Sequence, residues 1–236
     1  MLIEFIGLPG AGKTSVAMQL QDGETVRPAH VMAAATGFAG KARRLLSLFK
    51  SVLTKPMLVS NLLIRGRGTT DNELGRLRRA YCVVNLLARS RFNYEERGCI
   101  RIIDQGPLQA LGAWCLAGGF IRIQHDTHLL RSIYSKSLPH YVLYIRVPVD
   151  IALKRLERRV RRGGNRTDFE AKDYSQKVHL MKKLTVHLSN VAMLAETSGV
   201  SVIEVDGSKD ITSIVCEARI KCAISKIDKH PSIVKR

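Results

Sequence analysis

MLIEFIGLPGAGKTSVAMQL, residues 1–20, decides the fold. Met1 to Ile6 is a short apolar run that reads as a strand. Gly7 to Thr14 follows without a break as GLPGAGKT, and Ser15 to Leu20 reads as the opening of a helix. Strand, glycine-rich turn and helix, with the spacing Gly7-x-x-x-x-Gly12-Lys13-Thr14, form the pattern of a phosphate-binding loop. The residue types suit that task. Glycines let the backbone bend tightly and bring its N–H groups up to phosphate oxygens, and the helix aims its positive end at the same anion. Lys13 is placed to reach the β and γ phosphates, and the Thr14 hydroxyl to ligate Mg²⁺. The expected nucleotide contacts are therefore Gly7, Pro9, Gly10, Ala11, Gly12, Lys13, Thr14 and Ser15. A ligand-free glycine turn is the bland alternative. The GxGxxG fingerprint of dinucleotide sites does not fit, because Gly7, Gly10 and Gly12 are wrongly spaced for it.

The chain has 236 residues, which suits one α/β domain, or one with a sizeable insertion, and its 45% hydrophobic content is enough for a core. Five scattered cysteines, without a C-x-x-C pair or zinc spacing, suggest a reduced, cytoplasmic protein. The opening strand begins at Met1, so no signal peptide is expected, and no apolar run reaches the length of a membrane span. The net charge of +18 is unusual. It implies a polyanionic or acidic partner, such as nucleic acid, a phosphorylated acceptor or an anionic membrane surface. An arginine-favouring lineage is the alternative.

Beyond the loop, apolar strands alternate with helices. Glu24 to Arg27, Cys99 to Asp104 (CIRIID), His140 to Val147 (HYVLYIRV) and Val200 to Val205 read as strands. Helices are expected over Lys41–Leu53, Asn72 to about Phe92 with Asp71 as cap, Leu108–Leu116, Asp126–Lys136, Ile151–Arg162 capped by Asp150, Ala171–Thr197, and Asp210 to about Lys226, followed by a basic tail. This alternation predicts a parallel sheet covered on both faces, with its sites at the carboxyl ends of the strands. The phosphate loop, Asp104 and Asp206 all fall at such ends. Residues 28–98 form a helical insertion on the acceptor side and residues 150–170 a lid, within a single domain spanning 1–236.

Asp104 closes an apolar strand, where a carboxylate can order Mg²⁺ or accept the proton of an attacking hydroxyl. A turn-forming Asp before Gly106-Pro107 is the alternative. Arg155, Arg158, Arg159, Arg161, Arg162 and Arg166 crowd one segment, and Arg155, Arg159 and Arg162 share a helix face. Such arginines suit closure over a nucleotide and neutralisation of charge on the transferred group. A solvated charged face would look the same.

Taken together, GLPGAGKT, strand-terminal Asp104, Asp150 to Arg166 and the closing VIEVDGS (Val202 to Ser208) resemble the thymidylate kinase and deoxynucleoside kinase group of P-loop kinases. The resemblance implies a three-layer fold with a five-stranded parallel sheet in the order 2-3-1-4-5, an arginine lid, and adenine beside the loop after the last strand. By position it makes Arg155, Arg159 and Arg162 the lid arginines, with Arg159 also on the nucleotide, and Asp206-Gly207 the adenine-side loop. Thymidylate kinases follow the strand-end Asp with Arg. Here Gln105-Gly106-Pro107 follows, so the acceptor differs from that of a housekeeping thymidylate kinase.

Three function classes fit these residues. The leading one is a Mg²⁺-dependent kinase that transfers the γ-phosphate of ATP, with Lys13, Asp104, Arg155, Arg159 and Arg162 as catalytic residues and Thr14 and Asp104 holding the metal. Its acceptor is a small anionic molecule, nucleoside- or nucleotide-like or a sugar. The second is a kinase acting on a polymer, modified DNA or an anionic glycan. The third is a P-loop ATPase that is not a kinase, bound to a partner or a membrane through Lys41 to Ile64. No N/T-K-x-D guanine signature follows the HYVLYIRV strand. A homodimer is compatible with all three.

Overall fold

The computed structural model describes residues 1–20, 26–28, 53–65, 73–89, 100–134, 138–162, 169 and 171–222. Its centre is β1 (Leu2–Gly7), every residue of which is buried. A strand covered on both faces loses the in–out alternation of an exposed sheet and becomes continuously apolar, as LIEFIG is except at Glu4. Parallel partners flank it: β3 (Ile100–Ile103) on one side and β4 (Tyr141–Arg146) on the other, with β5 (Ser201–Asp206) outside β4. In register, Ile3 stands beside Ile102 and Tyr141, and Tyr144 beside Glu204. Three residues, Val26–Pro28 (β2), pair with the outer edge of β3, giving the order β2-β3-β1-β4-β5. Pro28 has no N–H to donate, which an edge position tolerates.

Helices flank this sheet, as the alternation of the sequence requires. α1 (Lys13–Leu20) and α8 (Ile211–Lys221) pack on each other and against β1 and β5. α4 (Pro107–Leu116) and α7 (Tyr174–Thr197) pack together against β1, and α7 continues over β4 and β5. Trp114, Leu111 and Leu188 are fully buried in this layer, each apolar side chain contributing on the order of 2 kcal/mol. α3 (Glu73–Arg89) lies on α4, and α2 (Pro56–Ile64) bridges α3 and α5 (Thr127–Tyr134). Helix α2 is tied down at its two ends by Arg65, which pairs with buried Asp126 at 2.5 Å, and by Lys55, whose Nζ donates to the Ser132 carbonyl at 2.8 Å.

Several helix starts differ from the sequence reading. Pro56 opens α2, where a first-turn proline gives up only an N–H that has no helical partner. α6 (Val149–Arg161) begins after Pro148, which places Asp150 inside its first turn instead of at the cap. α7 starts at Tyr174, because Asp173 accepts from the Gln176 amide at 2.8 Å and so takes the cap position. The expected helix Lys41–Leu53 (apart from Leu53), the Asp71 cap, the centre of the lid including Arg166, and the basic tail lie outside the described residues. Among the described residues Cys82, Cys115, Cys216 and Cys222 are free, no group of three or more His, Cys, Asp or Glu side chains could hold a metal ion, and no helix is long and apolar enough to cross a membrane.

Candidate active site

The phosphate loop leaves β1 at Gly7 and turns tightly, with the Ala11 amide donating to the Leu8 carbonyl at 3.1 Å. Gly10 is a position where the turn demands glycine. Its φ is +82°, and an added Cβ would fall on the carbonyl oxygen of Ala152 in α6. Lys13, 8% exposed, folds its ammonium back onto the loop and donates to the carbonyls of Gly7 at 2.8 Å and Leu8 at 2.9 Å. Burial pushes its pKa down from 10.5 to about 8, aided by the nearby Arg89 guanidinium and opposed by the Asp104 carboxylate. A cation held this far out of water gains strongly from an arriving polyanion.

Behind the loop, the end of β3 brings Asp104 to the first turn of α1. The Thr14 hydroxyl donates to Asp104 Oδ2 at 2.5 Å, so two residues separated by 90 positions meet where the loop motif predicts a metal. Asp104 Oδ1 is buried and has no hydrogen-bonding partner among the described residues. An unsatisfied carboxylate oxygen beside a hydroxyl oxygen is an all-oxygen donor set of the kind Mg²⁺ takes. The residues present therefore fit that ion.

A cavity of ≈ 800 Å³ opens over the loop. Pro9 to Val16 form its floor, and Gln105 and Gln109 stand on the β3 side. Arg155, Leu156 and Arg159 of α6 together with Phe169 make the lid side, and Lys209, Asp210, Ile211 and Ile214 make the far wall. Of the three arginines expected on the lid face, two reach the cavity. Arg155 donates to the Gly207 carbonyl at 2.7 Å and to the Ala11 carbonyl at 3.5 Å, so it braces two loops together. Arg159 is exposed and lines the opening, whereas Arg162, nearly a turn on at the end of α6, is exposed and stands outside the lining.

Asp206 and Gly207, expected on the adenine side, are not among the residues that line this cavity. The Asp206 carboxylate accepts from the Ser208 hydroxyl at 2.6 Å and amide at 2.9 Å, bonds that hold its pKa below the usual carboxylate range, and it faces a separate recess with Tyr144, Arg146 and Glu217. Gly207 contributes its carbonyl to Arg155. The side chains that meet the cavity come instead from Lys209 to Ile214, where α8 begins. Ile211 and Ile214 supply apolar surface there, and their place just after a strand-end loop was the only sequence signal for them.

Two further groups escaped the sequence reading. Arg89, the last residue of α3, donates to both the carbonyl of Gln105 and its side-chain Oε1, the latter at 3.4 Å. It thereby sets a guanidinium beside the residue that follows Asp104. Glu4, the one charged residue in β1, is fully buried. Burial drives its pKa up from 4.5 to about 7, held there against further rise by bonds from Tyr134, Leu108 and Gln109 and by the charge of Arg89. Nothing in the local pattern MLIEFI distinguishes such a residue from a misplaced surface carboxylate.

By sequence, the chain matches no protein-family model and no curated protein. Its three-dimensional structure does have solved counterparts. Deoxyadenosine kinase from M. mycoides with bound dCTP superposes with a TM-score of 0.52 at 14% identity, covering 95% of this chain and 100% of that one. The same enzyme with the products dCMP and a flexible dCDP gives 0.55 at 14%, covering 96% and 100%. With bound dATP it gives 0.53 at 15%, covering 94% and 100%. The fold is that of the P-loop nucleoside kinases. The likeness runs the length of the chain.

Proposed function

We propose that the protein is a Mg²⁺-dependent kinase that transfers the γ-phosphate of ATP to a small anionic acceptor, nucleoside- or nucleotide-like or a sugar. One observation carries this reading: the Thr14 hydroxyl and the half-satisfied Asp104 carboxylate converge beside the buried Lys13 ammonium at the mouth of a phosphate loop. A loop that only grips phosphate has no need of a buried carboxylate with one oxygen unpartnered.

In this mechanism the backbone amides of Gly10 to Thr14 hold the phosphates, and Lys13 exchanges its two backbone carbonyls for phosphate oxygens. Mg²⁺, held by Thr14 and through Asp104, supplies charge neutralisation when bound. Asp104 would also take the proton of an acceptor hydroxyl. Arg159 closes from the lid side against charge developing on the transferred group. Arg155 holds the base-side loop on the phosphate loop, and Ile211 and Ile214 offer the base an apolar face. Arg89 beside Gln105, with 14 Lys/Arg against four acids between Lys41 and Arg101, supports an anionic acceptor.

The test is ADP release from ATP and Mg²⁺ with panels of nucleosides, nucleotides and phosphorylated sugars. Acceptor-dependent turnover is expected, and no stimulation by any of them would sink the small-molecule reading. Turnover with DNA or an anionic glycan instead, lost steeply with salt, would select the polymer kinase, for which the +18 charge speaks.

A further inference from the structure

Helix α4 has a defect in its own sequence. Its cap residue, Gly106, has no side chain to accept from the first amides, and its first turn carries no acid. The first turn of a helix nevertheless leaves N–H groups that need partners. Glu4, on β1, provides them across 104 positions of sequence: its Oε1 accepts from the Leu108 amide at 2.7 Å and, more weakly, from the Gln109 amide at 3.4 Å. The hydroxyl of Tyr134, in α5, donates to the other oxygen. Gly106 is shaped to this arrangement, since an added Cβ would fall on the Glu4 carboxyl group.

The end of α4 held in this way is the end that touches the nucleotide site. Gln109 accepts through Oε1 from the Gly7 amide, the first residue of the phosphate loop, at 3.0 Å. On the other side of the cap, Gly106 lies two residues beyond Asp104. One buried carboxylate thus fixes the helix start, and through it both the loop entrance and the strand end that carries the metal carboxylate.

We propose that Glu4 is a positioning residue of the phosphotransfer site, which sets the Gly7 entrance of the phosphate loop and the Asp104 turn by capping α4 from β1. The proposal rests on the reading of the loop as a nucleotide site, but its geometric part stands without ligand. Glu4 meets no nucleotide and is not itself catalytic. It acts through Gln109 and Gly106, with Tyr134 holding its second oxygen.

The test joins residue-resolved amide exchange on the ligand-free protein with titration of ATP in the presence of Mg²⁺. Glu4→Met removes the acceptor at similar length. Expected are a tenfold or greater acceleration of exchange at Gly7 as well as at Leu108 and Gln109, unchanged exchange in β5, and a tenfold or greater loss of ATP affinity. Glu4→Gln keeps an oxygen for Leu108 and should restore both to within about threefold of wild type. A folded Glu4→Met protein with Gly7 exchange and ATP affinity both within twofold of wild type overturns the proposal. Should Glu4→Met fail to fold, Tyr134→Phe, which leaves the carboxylate but frees its Oε2, is expected to speed Gly7 exchange about threefold, and no change there overturns it equally. A wild type that binds no ATP defeats the nucleotide reading alone, while the exchange at Gly7 still decides the role of Glu4.

Discussion

Replacing Lys13 with Met should make the ligand-free protein more stable while abolishing its response to nucleotide. The ammonium is 8% exposed and its pKa falls from 10.5 to about 8. At about 1.4 kcal/mol per pH unit, keeping it charged in the folded loop costs about 3 kcal/mol at neutral pH. Met preserves the apolar stem and removes the charge. It also removes the donor to the Gly7 and Leu8 carbonyls, each such loss costing about 1 kcal/mol. A net gain of about 1 kcal/mol remains, a rise in Tm of about 2–4 °C for a chain of this length. The pH dependence fixes the sign. A base whose pKa is lowered on folding holds fewer protons in the native state between its two pKa values. Wild-type stability should therefore rise relative to Lys13→Met between pH 8 and 10.5, and the variant's advantage should vanish there. Urea denaturation of both proteins at pH 7 and across that window measures it, with Tm in saturating Mg²⁺ and ATP as the functional arm. A variant at least 1 kcal/mol less stable than wild type at pH 7, with no change across the window, would refute the account of Lys13 as a cation stored at a cost for its ligand.

Asp104→Asn should bring ATP affinity measured with Mg²⁺ down tenfold or more, toward the value in EDTA, and a Mg²⁺ effect of wild-type size in the variant would argue against Thr14 and Asp104 as the metal's holders. Gly207→Ala would place a methyl group 2.6 Å from Ile145 Cγ2 and 2.9 Å from the Arg146 carbonyl. It should cost about 1–3 kcal/mol by chemical denaturation and weaken nucleotide binding, since Arg155 holds the Gly207 carbonyl. Glu4, with its pKa raised from 4.5 to about 7, contributes stability that is complete below pH 4.5 and lost as pH rises through 7. Glu4→Gln should therefore gain about 3 kcal/mol relative to wild type between pH 4.5 and 8.5, which paired denaturation curves at the two pH values would register.

The parts legible in the sequence were those whose signal is local. GLPGAGKT carries its geometry in its glycine spacing, and Asp104 announces itself by ending an apolar strand. A parallel sheet gathers its strand ends on one side, and that brings Asp104 to Thr14. The lid arginines were legible only as a helix face. Spacing groups Arg155, Arg159 and Arg162, but it does not say that Arg155 spends its guanidinium on backbone carbonyls or that Arg162 falls past the cavity's rim. Asp206 shows a similar ambiguity: a strand-end carboxylate can as readily satisfy its own turn as face a ligand, and here it accepts from Ser208 two residues on. Glu4, Gln109 and Arg89 could not be read at all. Their partners lie 104, 102 and 16 positions away, and each relation exists only once the sheet and α4 are assembled.

Arg155 joins the carbonyl of Ala11 to that of Gly207, one in the loop after β1 and the other in the loop after β5. Two walls of the cavity that are far apart in the chain are thereby yoked into one mechanical unit. A fragment that orders either wall leaves less freedom for the next to remove, so binding at the two ends becomes thermodynamically linked even between molecules that never touch. Tripolyphosphate and adenosine added together should each tighten the other, and the size of that mutual effect is a direct reading of how stiff a single arginine can make a site built from two loops.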